Sequence, residues 1–275
     1  MRIHVISAAL LIAIAVLGAG CTEENQPFPG GDHESVLRDA VSGINNEMES
    51  VKASIAEDAR VFEETGLTST AGKEALRQTL LRHPWMESIL VISRDGVVVA
   101  AVPEDYADLV GRNLTYQVQT QRAVREQVPL MNEVFLTEEG FYGITQSYPI
   151  FGPEYLGYVS PAYQPDALIG RVIVPLTNGT PYDIWVTQTD GMVIYSTTPG
   201  EIGHNPLSDP DYRSPEHQEV FSRIVAEPSG SVEYAPRDQG REQNVTKEAR
   251  WDTAGIDGIE WRVVIARDID VVERR

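Results

Sequence analysis

The chain repeats itself. "ISRDGVVVAA", Ile92 to Ala101, is two apolar runs joined by Asp-Gly, and "TQTDGMVIYS", Thr187 to Ser196, restates the pattern 95 residues later. A Gly-x-Asn follows each, in "LVGRNL" and, three residues closer, in "EIGHNPL". Strand, turn, strand and a later Gly-x-Asn, recurring in that order, mark two copies of one structural unit. Asp-Gly between strands predicts a two-residue hairpin loop in which Gly96 or Gly191 supplies a positive φ, and Gly111 and Gly203 are expected to serve similarly.

Around the copies the pattern alternates between helix and strand. From His33 to Glu64 the positions Val36, Ala40, Ile44, Met48, Val51, Ile55, Ala59 and Phe62 recur at intervals of three and four, which predicts one long amphipathic helix. At 1.5 Å per residue it would run for ~48 Å, longer than one small module needs, so it is expected to lie along both copies and brace them. A shorter helix is expected from Ala71 to Arg82, stopped by Pro84. Thr115 to Gln127 has helical character, "MNEVFLTEEGFYGITQSYPI" reads as two strands about a Glu-Glu-Gly turn, and "YLGYVSPAY" as a further strand. "PDALIGRVIVPL" suits helix or strand equally. The second copy continues with a helix, "PEHQEVFSRIVAE", and three strand candidates, "SGSVEYAP", "KEARWDTAG" and "EWRVVIARDI". The implied class is α+β, with each antiparallel sheet carrying helices on one face and leaving the other free to line a cavity.

In this order of elements, and in the phrase "SYPIFGPEYLGY", the chain resembles the double Cache domain, an extracellular sensor unit of many prokaryotic receptors, over roughly residues 33–270. The resemblance implies two stacked PAS-like modules, with a small ligand bound in the one farther from the membrane. It divides the chain into N-terminal helices (33–84), a membrane-distal module (85–180) and a membrane-proximal module (181–275). Two departures matter. Most relatives continue into a transmembrane helix and an output domain, whereas this sequence stops at Arg275. Amino-acid-binding members carry an Arg-x-Trp-Tyr run that "NLTYQVQTQR" lacks, so the resemblance does not extend to free amino acids.

The only cysteine, Cys21, ends the apolar run "VISAALLIAIAVLGAGC" behind Arg2, so no disulfide forms within the chain. The sixteen residues Val5 to Gly20 fall short of the ~20 a spanning helix needs, which favours a cleaved signal over residues 1–20. Small residues before a cysteine resemble the lipobox of prokaryotic lipoproteins, although Gly18 stands where Leu is usual. Lipid on Cys21 would tether an exported protein to the outer face of the cell membrane, with residues 21–32 as a flexible linker. A plain secretory signal and a short uncleaved anchor are the alternatives.

A net charge of −19 repels a phosphate backbone and excludes nucleic acid as a partner. The five histidines are scattered, no catalytic motif occurs, and Glu138-Glu139 suits an exposed turn, so neither enzyme activity, metal nor cofactor is expected. A ligand cavity is expected in the first module, where polar aromatics concentrate. Tyr142, Ile144, Gln146 and Tyr148 share one face of a strand. Tyr142, Gln146 and Tyr148, with Met131, Glu133 and Phe135 opposite and Tyr116, Tyr163 and Asp166 at the rim, are the candidate contacts for a small organic solute. The expected function is an extracytoplasmic binding protein presenting its ligand to a membrane receptor or transporter. The alternative is a structural or interaction module with no small ligand. Asn113, Asn178 and Asn244 head glycosylation sequons.

Overall fold

The computed structural model describes residues 32–212, 214–234 and 246–269. Residues 1–20, expected from sequence to be a signal, together with Cys21 and Asn244 therefore lie outside the described residues. Helix α1 (His33–Thr65) begins where the Asp32 carboxylate accepts the Ser35 amide and ends at Gly66, whose φ of 85° breaks the turn. All eight residues of the sequence stripe, Val36 to Phe62, are buried. Helix α2 (Thr70–Arg82) is capped by the Ser69 hydroxyl and lies so near α1 that a side chain on Gly72 would strike the Phe62 ring.

The first module follows as β1 (Ser88–Ser93), β2 (Val98–Val102), helix α3 (Val118–Glu126), two short strands β3 (Leu130–Met131) and β4 (Phe135–Leu136), and the long pair β5 (Tyr142–Phe151) and β6 (Tyr155–Tyr163). Helix α4 (Pro165–Thr177) leads to the second, made of β7 (Asp183–Gln188), β8 (Val193–Ser196), helix α5 (Pro215–Ala226), β9 (Gly230–Tyr234), β10 (Thr246–Ile256) and β11 (Ile259–Ile269). Strand order is β2-β1-β6-β5-β3 in one sheet, with β4 also on β5, and β8-β7-β11-β10-β9 in the other. The two orders are the same arrangement, which is the duplication made visible.

The duplication extends to single hydrogen bonds. Gly96 N–H donates to Ser93 C=O and Ser93 N–H to Val97 C=O, and Gly191, Gln188 and Met192 repeat both bonds. Each loop therefore has three residues, a turn closed by a left-handed glycine, instead of the two expected. Gly111 N–H donates to Val98 C=O and Gly203 N–H to Val193 C=O, both glycines at positive φ. Asn113 and Asn205 then fold the following loop with their side-chain oxygens, which accept the amides of Thr115 and Leu207.

One face of each sheet packs on α1. Ile89, Val91, Ile144 and Val159 from the first, and Ile184, Val186, Val263 and Ile265 from the second, join the α1 stripe in a single core. The early part of α1 serves the second module: His33 Nε2 lies 3.3 Å from the Ile265 carbonyl, and Asn45 Oδ1 accepts the Gly255 amide. Later turns serve the first, where Met48 C=O accepts from Gln146. The modules also touch directly, since Gln188 Oε1 accepts the Val134 amide at 2.7 Å and Asp257 C=O accepts the Met131 amide.

The opposite faces differ. In the second module Trp185, Trp251, Val264 and Ala266 are sealed by Val220 and Ile224 of α5. Trp251 donates its indole N–H to Glu227 C=O, and its ring lies against Gly230, where a Cβ would come within 2.4 Å. That face is filled. In the first module the corresponding face is only partly filled, by Leu90, Ile92, Val98, Leu114 and Ala123.

Candidate functional site

The unfilled part of the first sheet is a cavity. Its floor is the outward phase of three central strands: Leu90 and Ile92 of β1, Tyr158, Ser160 and Ala162 of β6, and Thr145 and Ser147 of β5. Strand alternation explains the mixture, because the intervening residues Ile89, Val91, Ile144, Val159 and Tyr163 point to α1. One wall is α3 and its approach, with Gln117, Thr120 and Ala123. The other is the β3–β4 stretch, with Asn132 and Phe135, and the hairpin tip Thr137, Glu138 and Glu139.

That tip is tied down. Gly140, at φ 91°, lets the chain reverse, and the Thr137 hydroxyl donates to Phe141 C=O. Glu138 accepts from Gln117 Nε2 at 3.1 Å and from Arg112 at 3.4 Å, while Glu139 accepts from the Ser88 hydroxyl. Inside, Asn132 Nδ2 donates to Thr145 Oγ1 at 2.9 Å, and the Tyr158 hydroxyl to Thr120 Oγ1 at 3.1 Å. Burial pushes the Tyr158 phenol well up, so it stays protonated and remains a donor. Space for the centre of a water molecule amounts to about 30 Å³, enough for two or three waters at roughly 10–15 Å³ each. The lining mixes apolar side chains with hydroxyls, amides and two carboxylates, and includes no lysine, arginine or histidine.

The structure separates the residues proposed from sequence. Phe135 lines the cavity. Met131, Gln146 and Tyr163 are buried on the opposite face of the sheet, and Tyr148 packs there too; Gln146 joins the Tyr163 hydroxyl to the α1 backbone. Tyr142 and Asp166 meet in a different hollow, between the modules. Glu133 is exposed beside the β10–β11 turn, and Tyr116 is 65% exposed. The cause is a phase of one residue on β5: the large polar aromatics fill the helix-facing side, while Thr145 and Ser147 line the hollow. Small residues alternating along the strands, Thr145 and Ser147 with Ser160 and Ala162, are the signal that marks this face, since small side chains leave space. Glu138-Glu139 does lie at a turn, yet it contributes the cavity's charge.

Among the described residues no group of three or more His, Cys, Asp or Glu is placed to hold a metal ion, and no helix is long and apolar enough to cross a membrane. Asn113 and Asn178 are described; Asn113 accepts from the Thr115 hydroxyl of its own sequon.

Comparison with known proteins bears on this architecture. Residues 46–165 match the family described as "HK/GC/Chemotaxis protein-like, sensor domain". No curated protein is significantly similar in sequence. Among solved structures, the chain is similar to an extracellular ligand binding receptor from Desulfohalobium retbaense, with TM-score 0.71 and 23% identity over 85% of this chain. It spans 40% of the length of that receptor chain. It is also similar to the ligand binding domain of the Pseudomonas aeruginosa amino acid chemoreceptor PctB in complex with L-Gln, with TM-score 0.60 and 15% identity over 86% of this chain and 89% of that one. The corresponding domain of PctC, in complex with GABA, gives TM-score 0.57 and 13% identity over 86% and 96%. Residues 46–165 thus resemble the HK/GC/chemotaxis protein-like sensor domain, and the described chain as a whole has the double Cache fold seen in these extracellular sensor domains.

Proposed function

We propose that this protein is an exported sensor-type binding protein that takes up a small, neutral or cationic polar solute in the first module without transforming it. The observation that carries the reading is the cavity lining, in which Glu138, Glu139, amides and hydroxyls converge and no basic side chain borders the space. A solute with donor groups satisfies these acceptors, and leaving buried polar groups unpaired would cost ~1–3 kcal/mol each. A carboxylate ligand would meet two like charges, of which only Glu138 has a cation beside it, Arg112, and that lies outside the lining. The neighbours that hold L-Gln and GABA are amino acid chemoreceptor domains; here the absence of a lining cation argues for amines and polyols over amino acids. Tethering by lipid on Cys21, and delivery of the signal to a membrane receptor or transporter, complete the proposal and rest on the lipobox-like sequence.

The free space is small, so a bound solute larger than a few atoms requires the tip 137–140 to move outward. That same smallness favours a second reading, in which the cavity holds only water and the protein works through its surface. A thermal-shift screen separates the two. Ligand at 100 times its dissociation constant adds ~2.7 kcal/mol, a rise of roughly 5 to 11 °C for a protein of this size. Amines or polyols are expected to produce it and simple carboxylates are not. A flat response across all classes overturns the first reading, and a shift confined to carboxylates overturns its electrostatic basis.

A further inference from the structure

The hollow that unites Tyr142 and Asp166 is separate from the sheet cavity and much roomier. Measured in the same way, it offers about 470 Å³, within the ~300–1,000 Å³ span of small-molecule sites. Val134 and Tyr142 at the edge of the first module form one wall, Pro165 and Asp166 at the start of α4 the base, and Met192 and Ile202 of the second module the other wall. Tyr142 is 69% and Ile202 47% exposed, so large apolar surfaces face each other across open space. Soluble proteins seldom leave such surfaces unused beside a concavity. Asp166 is the only charged residue in the lining.

We propose that this inter-module cleft is a second ligand site, for a small organic cation consisting of an ammonium group on an apolar body. The aliphatic and aromatic walls remove the body from water, and the Asp166 carboxylate at the base pairs with the ammonium. With no lysine, arginine or histidine in the lining, an acid of the same shape is repelled and a neutral analogue gains only the apolar contact. The surface at large, at −19, concentrates cations around the cleft. An occupant touches both modules at once and so favours the arrangement in which they are apposed. The proposal does not depend on what the sheet cavity binds.

The test titrates the whole chain with phenethylamine, 2-phenylethanol and phenylacetate by calorimetry, with methionine-methyl NMR to locate the binding. The amine is expected to bind with a dissociation constant of about 1 mM or tighter, the alcohol about tenfold more weakly and the acid not at all. The Met192 methyl resonance should move and that of Met131, behind the first sheet, should stay. Asp166→Asn is expected to weaken amine binding about tenfold while lowering the melting temperature by no more than about 4 °C, the share of a first-turn carboxylate on α4, and Tyr142→Ala to weaken binding severalfold. Ser160→Phe, which plugs the sheet cavity, should leave binding unchanged. Equal affinity for amine and alcohol, an unmoved Met192, an indifferent Asp166→Asn variant, or loss of binding in Ser160→Phe would each overturn the proposal.

Discussion

Asp58 gives the most quantitative prediction. It lies on the inner side of α1 next to Ala59, 2% exposed, facing α2. The neighbouring Thr79 hydroxyl and the Arg82 charge favour the ionised form somewhat, but Oδ2 has no hydrogen-bond partner among the described residues. Burial wins, and the carboxyl pKa is pushed up from 3.8 to about 6. The sign follows from which state holds the proton more tightly. The folded protein does, so the group's favourable contribution is complete below pH ~4 and is lost as pH rises through about 6. A shift of about two units corresponds to about 3 kcal/mol, by which a charged Asp58 weakens the fold at pH 8. Asp58→Asn removes the charge and keeps the size of the side chain. It should be more stable than the parent at pH 8 by up to about 3 kcal/mol, or roughly 6–12 °C, with the gap closing to within ~0.5 kcal/mol at pH 4. Urea melts of both proteins at pH 4, 6 and 8 measure this difference, and the comparison cancels all other titrating groups. An asparagine variant no more stable than the parent at pH 8, or a gap that does not vary with pH, would refute the reasoning.

Two further perturbations probe the sheet and the joint. Gly157→Ala places a Cβ 2.1 Å from the Ile92 carbonyl oxygen at a φ of 153°, so backbone must shift within the cavity floor. A loss of about 3 kcal/mol or more is expected by denaturant melting, and a loss below ~1 kcal/mol would contradict the close strand approach. Gln188→Leu leaves the Val134 amide without its acceptor, at an expected cost of ~1–3 kcal/mol, and should speed amide exchange at Val134 while leaving Val159 protected. Unchanged exchange at Val134 would show that Gln188 does not hold the modules together.

How much of this was legible depended on whether the pattern or the packing decided. The α1 stripe declared itself because eight apolar positions at helical spacing have one efficient burial, and every one of them is inside. The duplication was legible because Gly96, Gly111, Gly191 and Gly203 hold backbone geometry that few other residues accept. The apolar run that became α4 gave no period, and what settles it is Pro165 at its first turn and the close fit of Val172 against Gly43 of α1. The cavity face of β5 was misplaced because both phases of that strand are buried: Gln146 satisfies its amide on the α1 backbone, a partner 98 residues away that periodicity cannot reveal. Bulky polar aromatics suggested ligand contact, while emptiness comes from the small residues between them.

The shared helix also sets a schedule for synthesis. His33 leaves the ribosome 232 residues before Ile265, the backbone it finally meets. At ~5–20 residues per second that delay is roughly 10–50 s. Throughout it Val36, Leu37, Ala40 and Ile44 have no sheet to cover, so the earliest ordered part of the chain is the last to be housed, and the nascent protein presents a greasy stripe to chaperones until its final strand arrives.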